Sequence, residues 1–187
     1  MRNLIFVLCC VSLALTSCST MSRQQSQQAN ASMARDNTMQ QPRAPVNYAD
    51  RMPQSISPGA RTIVVNPNVH AWGAYDKSGT LVRAGLATAG GSWCSDVKRS
   101  CYTRPGTFRI QSLGSASCKS SMYPKPRGGA PMPYCMFFNG HQGLHGSYDV
   151  VEGNVSHGCV RVQVSDAEWI RFNFANIGTK VVVKPYY

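Results

Sequence analysis

One cysteine and two histidines in a short glycine-rich stretch are the residues best suited to covalent chemistry in this sequence. The stretch spans residues 144–161 (LHGSYDVVEGNVSHGCVR) and contains His145, His157 and Cys159. A cysteine attacks as its thiolate, but a free thiol is mostly protonated at neutral pH. It therefore needs a basic neighbour, usually a histidine, that takes the proton. These residue types indicate nucleophilic catalysis by Cys159.

Both histidines are candidates for that base. His157 lies two residues before Cys159, and side chains at this spacing share a face if the segment is extended. His145 lies fourteen residues upstream and could be brought opposite by a hairpin-like return. Gly158 leaves room beside the nucleophile for a substrate carbonyl to approach the backbone. Backbone N–H groups of Gly158 and Cys159 could then form an oxyanion hole.

Two other readings of the same residues are possible. A buried cysteine can be an inert small hydrophobic residue. Alternatively, His141, His145, His157 and Cys159 are of ligand types that bind zinc. The spacing of His141 and His145 suits one helix face, but three glycines in residues 139–146 disfavour a helix. We therefore predict no metal site and no cofactor.

The order of these motifs resembles the signature of the L,D-transpeptidase (YkuD-type) catalytic domain. That signature joins a His-Gly-Ser/Thr element, here residues 145–147, to Ser-His-Gly-Cys followed by a hydrophobic residue and arginine, here residues 156–161. Residues 104–108 (RPGTF) also resemble the TPxGTF segment of the family, with a departure at Arg104 and in the direct Pro-Gly step. The resemblance covers about residues 61–187. It implies a mainly β fold, a sandwich or flattened barrel with one short helix near the C-terminus.

The resemblance also implies roles for individual residues. Cys159 is the nucleophile, and His145 is the general base and later the acid. Gly146 or Ser147 orients His145, and a backbone carbonyl could make that contact. Ten residues separate His145 from Ser156, a shorter loop than usual in the family, which leaves the position of the base open.

Three neighbouring residues complete the implied site. His157 and Gly158 shape the nucleophile turn and the oxyanion site. Arg161 positions substrate or braces the loop. His141 is the alternative base, at a longer spacing from Cys159, but only His145 is followed by Gly-Ser.

Enzymes of this family act on peptidoglycan stem peptides. The cysteine attacks the carbonyl of the third residue of a tetrapeptide, D-alanine leaves, and an amine accepts the acyl group. The product is a 3–3 cross-link or an attached protein or amino acid. A hydrolase that uses the same acyl-enzyme with water as acceptor is one alternative function. A non-catalytic envelope-binding module that kept the fold is another.

The N-terminus is typical of export. Residues 1–17 combine a basic end with a largely apolar run, too short to span a bilayer as a helix, and read as a signal peptide. The Leu15-Thr16-Ser17-Cys18 sequence resembles a bacterial lipoprotein signal, so Cys18 is the predicted lipidation site. An ordinary secretory signal with a chance cysteine is the alternative. Residues 18–60 are rich in Gln, Ser, Asn and Pro and predict a disordered tether before the domain at 61–187. The expected location is the periplasm or cell envelope, with the membrane reached through the lipid.

Charge and cysteine content agree with an exported protein. The formal net charge is +11, from 19 basic and 8 acidic residues. No nucleic-acid-binding motif accompanies it, so we expect attraction to an anionic envelope and no nucleic-acid partner. Of eight cysteines, five follow Cys18, and an odd number suggests one free reactive thiol, assigned to Cys159. The other four allow three disulfide pairings. We favour Cys94–Cys101 with Cys118–Cys135, since each closes a loop between strand-like segments.

Strand-type segments dominate the remainder. They are expected at residues 62–65, 69–75, 80–89, 106–110, 134–138, 160–164 and 180–183, with a hairpin turn at 76–79. Residues 114–133 are predicted to be irregular. Ser165 and Glu168 have capping-box spacing, which predicts a helix start at Ser165 and an end at Gly178.

Overall fold

The structure, a computed structural model, describes residues 46–187. Nine strands form two sheets. The strands are β1 (Thr62–Asn66), β2 (Ala71–Tyr75), β3 (Leu81–Leu86), β4 (Gly106–Arg109), β5 (Ser112–Leu113), β6 (Met136–Asn139), β7 (Gln142–Ser147), β8 (Val160–Gln163) and β9 (Lys180–Val183). The predictions for residues 1–45 lie outside the described residues. They include the signal peptide, the lipidation site Cys18 and most of the tether.

The larger sheet has five strands in the order β3-β2-β1-β9-β4. β1, β2 and β3 form an antiparallel meander whose second turn is the predicted one at residues 76–79. β9, from the C-terminus, pairs parallel to β1 and antiparallel to β4. The C-terminal strand therefore lies inside the sheet, between β1 and β4.

The smaller sheet has the order β5-β6-β7-β8. β6 and β7 form a hairpin through Gly140 and His141. β8 pairs parallel to β7, with Leu144 opposite Val160 and His145 opposite Arg161. A parallel pair cannot be joined by a tight turn, so the chain makes a crossover between the strands. Residues 148–159 provide it and return the motif beside His145.

The two sheets enclose one apolar core. Ile63, Val65 and Trp72 of the larger sheet pack with Phe138, Leu144 and Val160 of the smaller one, and all six are almost fully buried. A buried layer between two mostly antiparallel sheets is the arrangement of a β-sandwich. The predicted fold class, mainly β with one short helix near the C-terminus, is confirmed.

The helix α1 (Val164–Trp169) follows β8 directly and continues as a π-helical turn, Ile170–Phe174. The predicted capping box is wrong, because the N-terminal cap residue is Gln163 and no side chain caps the helix. Glu168 instead accepts a hydrogen bond from the Tyr134 hydroxyl at 2.8 Å. The helical segment also ends before Gly178, which lies in the turn that precedes β9.

The folded region begins earlier than the predicted boundary at residue 61. A 3₁₀ turn, Tyr48–Arg51, leads into Met52, which is 4% exposed against Val64 and Tyr75 on the outer face of the larger sheet. The Tyr75 hydroxyl donates to the Pro53 carbonyl at 2.8 Å. Residues 47–60 are therefore part of the compact unit that extends to Tyr187. The reason is physical: this sheet has apolar side chains on both faces, and the N-terminal segment covers the second one.

Two disulfides close the loops on either side of the smaller sheet. Cys94 pairs with Cys101 and Cys118 with Cys135, as favoured from the sequence. Cys159 is the free cysteine among residues 46–187. Within the same residues, no helix is both long and apolar enough to cross a membrane.

Candidate active site

The parallel pairing of β7 with β8 brings the two halves of the motif together. His145 is opposite Arg161, and residues two apart on a strand share a face. Cys159 comes directly before β8 and lines the same cavity as His145. The opposite face carries Leu144, Val160 and the rest of the core.

His145 and Cys159 line one cavity of about 590 Å³. Its floor is formed by β7, β8 and the turn before β8. One wall is Lys119–Tyr123 and Ala130–Met132, both from the loop closed by the Cys118–Cys135 disulfide, and Arg99 comes from the loop closed by Cys94–Cys101. Both disulfide loops therefore border the space in front of the thiol.

The ring of His145 is fixed by its neighbour. His145 is 6% exposed, and Nδ1 lies 2.8 Å from the Gly146 carbonyl oxygen. A carbonyl only accepts, so Nδ1 carries the proton and Nε2 of the neutral ring is the basic nitrogen. Burial lowers the pKa of His145, which favours the neutral ring. Of the two residues expected to orient His145, Gly146 makes this contact, whereas the Ser147 hydroxyl bonds to the backbone of Asp149.

Gly146 is also constrained by packing. A side chain there would meet Val164 and Pro133 at 3.0–3.2 Å, and its N–H donates to the Pro133 carbonyl at 2.8 Å. Glycine thus lets the chain pass closely enough for its carbonyl to hold His145.

Cys159 is a protonated thiol in this site. Burial raises its pKa, while the Gly143 N–H and the charge of Arg161 oppose that shift in part. Its Sγ lies 3.5 Å from the His141 carbonyl oxygen, to which the thiol donates. His141 itself is exposed in the hairpin turn, whereas His145 is buried in the strand. Cys159 and His145 are therefore both neutral at rest, and His145 has the geometry of the base.

The turn before Cys159 is tightly bonded. Gly158 has φ +115°, a conformation that side chains rarely adopt. Its N–H donates to Ser156 Oγ at 3.2 Å, and Ser156 Oγ donates to the Cys159 carbonyl. The Gly158 N–H, one of the two predicted oxyanion donors, is thus engaged by Ser156 in this turn.

His157 does not share an extended segment with Cys159, because β8 begins only at Val160 and Gly158 interrupts the alternation. Its Nε2 lies 2.8 Å from Oδ1 of Asp96, and its ring stands 4.4 Å from the ring of Tyr123, centroid to centroid. His157 lines the cavity but is bonded to a carboxylate.

Arg161 is paired with Asp149 across the cavity wall at 2.7 Å, and its backbone bonds to Thr88 in both directions. Asp149, Asp96 and Tyr123 were not foreseen as site residues. Asp149 lies within the motif stretch, twelve residues before Arg161, and that position is the one sequence signal that could have indicated it. Asp96 and Tyr123 have no nearby sequence pattern that indicates a place in the site.

The four residues considered as metal ligands, His141, His145, His157 and Cys159, do not form a group close enough to bind one ion. Among residues 46–187, the one group of three ligand-type side chains within 4.8 Å is Cys94, Asp96 and His157. The Cys94 sulfur is in a disulfide, so it offers no thiolate to an ion.

Comparison with known proteins identifies the domain. The family model of the L,D-transpeptidase catalytic domain (YkuD) matches residues 60–183. An L,D-transpeptidase structure from Xylanimonas cellulosilytica is 24% identical, with TM-score 0.60 over 72% of this chain and 65% of that one. One from Mycobacterium smegmatis is 19% identical, with TM-score 0.55 over 67% and 59%. One from Mycobacterium tuberculosis is 19% identical, with TM-score 0.54 over 67% and 58%.

At these identities the likeness concerns the fold. The chain spans less than two thirds of the length of each of these three structures. No curated protein matches it.

We predict that Gly158→Ala misplaces the nucleophile. A β-carbon there is strained by φ and lies 3.0 Å from Gln142 Nε2. Gln142 cannot easily move, since its amide is bonded to the backbone of Tyr102 and Arg104. The expected result is a loss of about 1–3 kcal/mol in the free energy of unfolding and a fall of up to about 100-fold in the alkylation rate of Cys159 by iodoacetamide.

The matched control is Gly178→Ala. Gly178 also has positive φ, +89°, but nothing lies within 4 Å of its added β-carbon and it is outside the cavity. It should lose stability and keep the thiol reactivity. Equal alkylation rates in the two variants would contradict this account of the turn.

Proposed function

Because this chain belongs to the L,D-transpeptidase (YkuD) catalytic domain family, we propose that it is a cysteine-dependent peptidoglycan L,D-transpeptidase. One observation carries the proposal: Cys159 and His145 line the same cavity, and the Gly146 carbonyl leaves Nε2 of His145 as the base. The donor is a tetrapeptide stem, and the acyl group passes to an amine to give a 3–3 cross-link or an attached protein.

In the proposed first half-reaction, the Cys159 sulfur attacks the carbonyl carbon of the third residue of the stem. The thiol proton moves to Nε2 of His145 as the S–C bond forms. Because both groups are neutral at rest, this transfer creates a charge pair only when the substrate is in place. The Cys159 N–H is the backbone donor available to the developing oxyanion.

Collapse of the tetrahedral intermediate breaks the C–N bond to D-alanine. His145 returns the proton to the leaving amine, and a thioester remains on Cys159. In the second half-reaction, an acceptor amine attacks the thioester, His145 takes its proton, and the thiol is restored. Water in place of the amine would give the carboxypeptidase reaction.

We predict covalent acylation of Cys159. Full-length protein incubated with a disaccharide-tetrapeptide should gain the mass of the donor less D-alanine, with one equivalent of free D-alanine. Cys159→Ala should give neither, because the nucleophile is missing. Intact mass spectrometry with a D-alanine assay measures both. D-alanine release by Cys159→Ala at the wild-type rate would refute the covalent mechanism.

The charge of the cavity supports an anionic donor. Its wall contains Arg99, Lys119, Arg161 and Asp149 as charged residues, and Asp149 is used by Arg161. Arg99 and Lys119 make no salt bridge with another described residue. Two uncompensated cations beside the thiol suit a peptide with free carboxylates.

We predict that replacing Arg99 and Lys119 together by Gln raises KM for the tetrapeptide on the order of tenfold at low salt. Each cation interacts with a carboxylate by about 1 kcal/mol in water, and salt screens that attraction. Steady-state D-alanine release at two ionic strengths measures the effect. The control replaces Lys77 and Lys184 by Gln, which removes the same charge from exposed positions outside the cavity. Equal KM values in the two double variants would exclude the cavity cations from donor binding.

The proposed location is the periplasm or cell envelope, with a lipid on Cys18. The supporting observation is the Leu15–Cys18 sequence after a short apolar run. We predict that Cys18 carries the lipid in the exporting cell and becomes the first residue of the mature chain. Mass spectrometry of the N-terminal peptide tests this, with Cys18→Ala as the control. An unmodified Cys18 in the mature protein would contradict the anchor.

A further inference from the structure

His157, two residues before the thiol, is held by two separate loops. Both carboxylate oxygens of Asp96 lie 2.8 and 2.9 Å from its Nε2. The ring of Tyr123 packs against the imidazole at 4.4 Å between centroids, with the planes tilted by 39°. Asp96 belongs to the loop closed by Cys94–Cys101, and Tyr123 to the loop closed by Cys118–Cys135. The two disulfide loops therefore meet at one side chain.

The segment upstream of His157 is already fixed by the backbone. Ser156 donates to the Ala89 carbonyl at 3.0 Å and accepts from Gly91 at 2.9 Å. The Cys94 sulfur lies 3.8 Å from the Ser156 carbonyl oxygen. Only His157 and Gly158 lie between Ser156 and Cys159. Glycine restricts the backbone dihedral angles least. The Ser156 hydroxyl bonds the turn from within, to the Gly158 N–H and the Cys159 carbonyl. The imidazole of His157 is the group through which other loops contact the turn.

Stability does not explain these contacts. The side chains of Asp96 and His157 are 48% and 30% exposed. A polar contact between two side chains this exposed contributes little to folding. The hydrogen bond to His157 lowers the pKa of Asp96, so the carboxylate stays charged as an acceptor at neutral pH. A weak contact next to a nucleophile can still matter, because a displacement of about 1 Å costs up to about 100-fold in rate.

We propose that Asp96 and Tyr123 are positioning residues that hold the Gly158–Cys159 turn through His157. The two disulfides belong to this device, since each fixes the loop that carries one of them. The proposal rests on the proposed function for its catalytic consequence. Its structural core, a turn held by two loops, does not depend on the identity of the substrate.

The hydroxyl of Tyr123 provides an internal distinction. Its oxygen is buried and has no hydrogen-bond partner among the described residues. If the ring stack is what matters, Tyr123→Phe keeps the alkylation rate of Cys159, a readout that needs no bound peptide, and Tyr123→Leu lowers it. Asp96→Ala removes the acceptor for His157, whereas Asp96→Asn retains one neutral acceptor and should recover part of the loss.

The experiment measures Cys159 alkylation by iodoacetamide, then kcat and KM for D-alanine release, and the melting temperature of each full-length variant. Asp96→Ala and Tyr123→Leu should lower kcat and the alkylation rate by about 10- to 100-fold, with KM within about twofold. The control is Asp50→Ala, an exposed carboxylate bonded only to Asn47, which should match the wild type.

Alkylation separates failure of this proposal from failure of the proposed function, because it needs no peptide substrate. Slow alkylation of Asp96→Ala supports the positioning role even if no tetrapeptide is accepted. An alkylation rate equal to that of Asp50→Ala overturns it. The proposal is also overturned if the alkylation rates of the variants fall in proportion to their melting temperatures. It is equally overturned if Tyr123→Phe lowers the alkylation rate as much as Tyr123→Leu does.

The double variant Cys94→Ser with Cys101→Ser tests the role of the first disulfide. If the disulfide acts by holding Asp96, adding Asp96→Ala to this background should cause little further loss, since coupled residues are not additive. Full additivity would overturn that part of the proposal. If the double variant does not fold, the single substitutions at Asp96 and Tyr123 still decide.

Discussion

The parallel pairing of β7 with β8 is the constraint on which the site depends. It sets His145 opposite Arg161 and thereby brings Cys159 to the face of the base. A shift by one residue would turn Cys159 into the core and expose Val160, because strand side chains alternate between faces. The apolar face of both strands therefore fixes the register that the chemistry uses. Packing and catalysis depend on the same hydrogen-bond ladder.

Much of this arrangement could be predicted from the sequence, because its signals are local. Alternating and β-branched segments predict seven of the nine strands at nearly their observed positions. The motif singles out Cys159 and His145, which line one cavity in the structure. Two strands have no predicted segment. β5 (Ser112–Leu113) is too short to show periodicity, and β7 (Gln142–Ser147) is interrupted by two glycines. The capping box failed because Ser165 falls inside the first helical turn and β8 runs straight into the helix.

Other features depend on contacts distant in sequence. Asp96 and His157 are 61 residues apart, and nothing near Asp96 indicates a partner. The early start of the folded domain does have a signal in the sequence of β1 and β2. TIVVN and AWGAY are almost continuously apolar, which is typical of strands buried on both faces, so a covering segment was to be expected. Met52 and its neighbours supply it.

The raised pKa of Cys159 affects whether this thiol stays free while the two disulfides form. Five cysteines pair or stay free in one small domain, and disulfides form where the surroundings are oxidising. Oxidation and disulfide exchange both proceed through the thiolate. With its pKa raised, the Cys159 thiol is therefore a poor competitor for Cys94 or Cys118. The surroundings that raise the pKa of Cys159 thus also help to preserve it as a thiol while the disulfides form.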